Sequence, residues 1–81
     1  MPVEFLDATE KTLLLQRTAG SSKEQCAEKL RRTPDNIGDH NKVIHRKLKA
    51  RTGMMALGMA VATDQITREE LIFLFTTMGL L

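Results

Sequence analysis

Helix starts recur along this chain at a spacing that leaves room only for a set of short helices. Asp7 with Glu10, Ser22 with Gln25 and Thr67 with Glu70 each match the capping box, in which two side chains three residues apart satisfy backbone N–H groups that a first turn leaves free. Thr33 ahead of Pro34 and Thr52 ahead of Gly53 add two further caps, and proline suits the first helical position because its fixed φ is already helical. The chain therefore predicts five helices, at about 8–19 with a stop at Gly20, 22–31, 34–48, Gly53–Ala62, and 67–79 with a stop at Gly79. Residues 1–6 read as an irregular arm. Strand-forming residues are too sparse for a sheet, and the expected fold class is all-α.

Apolar residues are 42% of the 81 and charged residues 27%, a globular balance. A chain this short sits at the small end of what buries a self-sufficient core, so it reads as one domain, 1–81, helped by a partner subunit. The arm is 1–6, a core of the first four helices is 7–62, and a C-terminal helix is 67–79. Cys26 has no second cysteine to pair with; on an apolar helix face it is expected to be a buried, inert thiol in a reducing cytoplasm. The longest largely apolar run, 54–62, falls far short of the roughly 20 residues needed to span a membrane. His40 and His45 are five apart and lie on different helix faces, so neither a metal nor another cofactor is expected. Nor is an enzyme: there is no glycine-rich phosphate loop, nucleophile elbow or paired-acid arrangement.

Charge is concentrated on the third helix. Between Arg31 and Arg51 stand seven basic residues against two acidic ones, while the segments on either side are net acidic. Ile37, Asn41, Ile44 and Leu48 recur at the spacing of one helical face, leaving Asp35, Asp39, Lys42, Arg46 and Lys49 to point elsewhere. Such a helix is either a solvated basic face or one that meets a polyanion. The short helix before it, with Cys26, Ala27 and Leu30 inward, and the tight turn at Arg32 and Thr33 favour the second reading, a recognition helix in the major groove. Leu6, Leu13, Leu14 and Leu15 are the first helix's apolar contribution. In the fourth, Gly58 and Ala62 are small residues at the spacing of a close backbone approach, and Met55, Leu57 and Met59 supply bulk, so this helix should find two neighbours, one of them a second subunit or the last helix. Leu71, Leu74, Phe75 and Met78 are the expected buried stripe of the fifth, widened by Ile72 and Phe73.

These residues resemble the LuxR-type (GerE-like) DNA-binding domain of bacterial transcription regulators. That pattern opens Leu-Thr-x-Arg-Glu and continues to Gly-x-Ser; Leu6, Glu10, Leu14, Gly20 and Ser22 fall in its register without a gap, followed by Ala27, Leu30, Thr33, Ile37, His40, Ile44, Lys47, Leu48 and Ala56. The resemblance implies a four-helix fold whose second and third helices form the helix-turn-helix and whose fourth mediates dimerisation, here with an added fifth helix. It implies base-reading positions at Gly38, Asp39 and Lys42 and phosphate contacts at Asn36 and His40, to which the charge pattern adds Arg46, Lys49 and Arg51. Gly38 stands where most members carry a lysine, Asp39 puts an acid where phosphates would lie, Arg32 replaces an apolar turn residue and Gln16 a core leucine. The expected function is a stand-alone cytoplasmic transcription regulator that binds double-stranded DNA as a homodimer through Met55, Gly58, Met59 and Ala62. The alternative is a protein-interaction module of the same fold that binds another regulator, with weakened DNA contact.

Overall fold

Each of the five expected caps is formed, and each opens a helix. The structure, a computed structural model, describes residues 3–81, so Met1 and Pro2 of the arm lie outside the described residues. The helices are α1 (Ala8–Thr18), α2 (Lys23–Leu30), α3 (Pro34–Lys47), α4 (Gly53–Ala62) and α5 (Arg68–Thr77), with no strand among the described residues. Asp7, Ser22 and Thr67 make full capping boxes with Glu10, Gln25 and Glu70, and Thr33 and Thr52 accept from the backbone N–H of Asn36 and Met55. The helix ends fall within about two residues of expectation, as fraying ends do.

α1 and α3 form the centre of the packing, each touching the other and both α2 and α4. Leu13 and Leu14 meet Cys26 and Ala27 of α2, Ile37 and Ile44 of α3 with its cap Leu48, and Ala56 and Ala60 of α4, all buried. Within the domain the close approach of α4 uses Ala56 and Ala60; Gly58 and Ala62 are exposed on its opposite side. A helix with no large polar side chain offers no sequence signal for which of its small residues turns inward, and here the body of the domain settles it. Ile66, in the loop after α4, completes the core.

α5 departs from expectation. None of its residues is buried: Leu71, Leu74 and Phe75 are half-buried, while Ile72, Phe73 and Met78 are exposed. It leans on α1 through Leu71, which packs on the core, and through an ion pair from Lys11 Nζ to Glu70 Oε2 at 2.7 Å. The hydrogen bond from Lys11, then that from the Thr67 backbone N–H, hold the Glu70 carboxyl below its ordinary value of 4.5. A carboxylate depressed in the folded state contributes stability above its ordinary value and loses it as pH falls through the depressed one. Acidification below about pH 4.5 should therefore weaken the docking of α5, and hydrogen exchange of the α5 amides should already be faster at neutral pH in Glu70→Gln. Equal exchange in the wild type and the variant would remove this pair from the docking of α5.

The arm is tied down at both sides. The Glu4 N–H donates to the carbonyl of Lys47 at 3.0 Å, and the buried Gln65 side chain accepts from the Leu6 N–H at 2.7 Å and donates to the Glu4 carbonyl at 3.2 Å. Gln65 is the one buried side-chain amide among the described residues, and its network leaves neither of its polar atoms without a partner.

Candidate nucleic-acid interface

The face of α3 turned away from Ile37, Ile44 and Leu48 carries Asp35, Asp39, Lys42 and Arg46, all exposed. Its charges are sorted along the axis. Acids occupy the first half and bases follow, from Lys42 in the middle to Arg46 in the last turn, the order that complements the helix dipole. The cationic end therefore lies toward the C-terminus, where Lys49 and Arg51 extend it beyond the helix, while Arg31 and Arg32 flank the N-terminus. All six of these bases are exposed, and among the described residues none has a carboxylate oxygen within 4.0 Å.

The seventh base of the stretch, Lys47, is withdrawn from this surface. Its Nζ donates to Glu10 Oε1 at 2.7 Å beneath the arm, where Glu10 is only 3% exposed. That hydrogen bond, opposed by desolvation, pushes the Lys47 ammonium above its ordinary value of 10.5. Lys47 ties α3 to α1 and is structural.

The turn between α2 and α3 has a left-handed residue, Arg31, at φ 55°, and Lys49 after α3 has φ 56°. Such conformations cost a non-glycine residue about 1–2 kcal/mol. Arg32 Nη1 donates to Asn36 Oδ1 at 3.3 Å, so the side chains of the turn and of the first turn of α3 are held together. Gln16 is not a core residue here: it accepts from Lys29 Nζ at 3.1 Å and from the Ser21 hydroxyl at 3.3 Å, linking α1 to α2 on the surface. Cys26 is fully buried, and burial raises its thiol against the pull of the Arg17 and Lys29 charges, which leaves it un-ionised.

The residues expected at a DNA surface are thus only partly brought together. Asp39, Lys42 and Arg46 share the open face, and Lys49 and Arg51 continue from its end; Asn36 and His40 are half-buried on one flank, and Gly38 is half-buried on the other. Of the residues expected at a subunit contact, Met55, Gly58 and Ala62 are exposed on the outer face of α4, whereas Met59 packs against the core. Met54, 86% exposed, and Val61, 37% exposed, belong to that outer face and were not expected there. No protein-family model matches the chain, and neither a curated protein nor a solved structure matches it.

Proposed function

We propose that this protein is a small DNA-binding regulator of LuxR/GerE-like helix-turn-helix architecture, acting in the cytoplasm and meeting duplex DNA with the outer face of α3. The observation that carries the reading is the group of six exposed, carboxylate-free bases that α3 and its two flanking turns present. A protein that neutralises phosphates releases condensed counterions, so its affinity must fall steeply with salt. Polarisation titrations of a random-sequence duplex at two salt concentrations test this. Binding that is absent at both, or that does not weaken with salt, overturns it.

Dimerisation through α4 belongs to the same reading. Met54, Met55, Gly58, Val61 and Ala62 make its outer face wholly apolar and open to solvent, which favours a second copy as cover. Within its own chain a Cβ on Gly58 would meet nothing within 4 Å, and leucine is the better helix former. Gly58→Leu should therefore leave the monomer's helicity intact and shift a concentration-dependent dimer toward monomer, as read by sedimentation across a dilution series. A wild type that stays monomeric, or a variant that dimerises equally well, removes α4 from the contact.

A second reading, a module that binds another regulatory protein, is favoured by the apolar surface that α5 leaves open. Phe73 is 74% exposed and lines a cleft of about 510 Å³ with Leu15 and Leu74 between α1 and α5. DNA titrations without salt-dependent binding would favour it.

A further inference from the structure

Gly38 sits inside α3 without a positive φ, so its backbone does not require glycine, and glycine weakens a helix interior. Over this position lies Lys23, from the first turn of α2, where any side chain longer than alanine's would stand. Lys23 Nζ lies 3.6 Å from the place a Cβ on residue 38 would take. An alanine there would touch the ammonium at ordinary contact distance, and a longer side chain would take its place. Lys23 is exposed, and among the described residues no carboxylate oxygen lies within 4.0 Å of its nitrogen. Gly38 is one helical turn before Lys42. The charge of an α2 residue is thereby carried onto the first half of α3, which has acids and no base of its own ahead of Lys42.

We propose that Lys23 is a DNA-contacting residue, delivered through the notch at Gly38 onto the surface of α3 to bind a backbone phosphate. The proposal rests on the reading of α3 as the DNA surface. Its test compares Lys23→Gln with Lys29→Gln in the full chain. Both variants lose one charge from the same helix, but the Lys29 ammonium is tied toward α1 by Gln16 at 3.1 Å. On a random-sequence duplex over a salt series, Lys23→Gln should lower affinity roughly three- to tenfold at about 0.1 M salt and shallow the log–log slope by about 0.9, one phosphate's worth. Lys29→Gln should leave the slope unchanged. Gly38→Lys in the Lys23→Gln background should restore the slope by placing a cation on the same spot from α3 itself.

Equal slopes for the two variants, or a loss that depends on duplex sequence, overturn the phosphate contact. If Lys23→Gln is silent while Lys42→Gln shallows the slope, this proposal falls and the α3 surface stands. If the wild type itself shows no salt-dependent binding, both fall.

Discussion

Glu10→Ala is expected to destabilise the fold by about 1–3 kcal/mol, because it removes a buried, charged hydrogen-bond acceptor that serves two donors. One carboxylate oxygen, Oε1, accepts both the Asp7 N–H at 2.9 Å, closing the capping box of α1, and the Lys47 ammonium at 2.7 Å, joining α1 to the last turn of α3. Alanine loses both at once. A domain of this length has about 4–12 kcal/mol in total, so the loss is a large share of it. Glu10→Gln keeps an oxygen for the Asp7 N–H and should lose less. Urea unfolding of the three proteins measures this. A loss below about 1 kcal/mol for Glu10→Ala would mean that Lys47 regains water freely and that the pair contributes little.

The second large effect concerns DNA. Lys42 and Arg46 are exposed and paired with no carboxylate among the described residues, so their removal should leave the fold intact. If the outer face of α3 meets phosphates, Lys42→Gln with Arg46→Gln should shallow the salt slope by about 1.8 and cost roughly fiftyfold in affinity at about 0.1 M salt. The loss should be nearly the same on every duplex sequence, because phosphate contacts carry no sequence information. An unchanged slope in the double variant moves the DNA surface off α3.

The helices were legible in the chain because their starts are chemical. A capping oxygen three residues ahead of a Glu, a Gln or a free N–H works locally, and no distant residue need be known to read it. The inward face of α3 was legible for a related reason, since Ile37, Ile44 and Leu48 contrast with charged neighbours. Where contrast is missing, legibility ends. α4 is apolar all round, so nothing in its sequence distinguishes Ala56 and Ala60, which face the core, from Gly58 and Ala62, which do not. α5 has an apolar stripe that reads as buried and stays half-covered, because burial needs a partner surface and α1 supplies only one edge. Gln65 and Ile66 lie in a loop where periodicity has no meaning. The nearness of Lys23 to Gly38 depends on how α2 crosses α3, a tertiary fact that spacing along one helix does not encode.

The clasp around Gln65 orders events in time. Successive helices pack on one another, α1 with α2, α2 with α3 and α3 with α4, whereas Leu6 and Gln65 are 59 residues apart. Closing a loop of that length costs chain entropy before its two hydrogen bonds return anything. The arm is therefore expected to dock late, once α1–α4 have set the Lys47 carbonyl and the Gln65 amide at the right separation. A growing chain would emerge from synthesis with its arm free until residue 65 had followed.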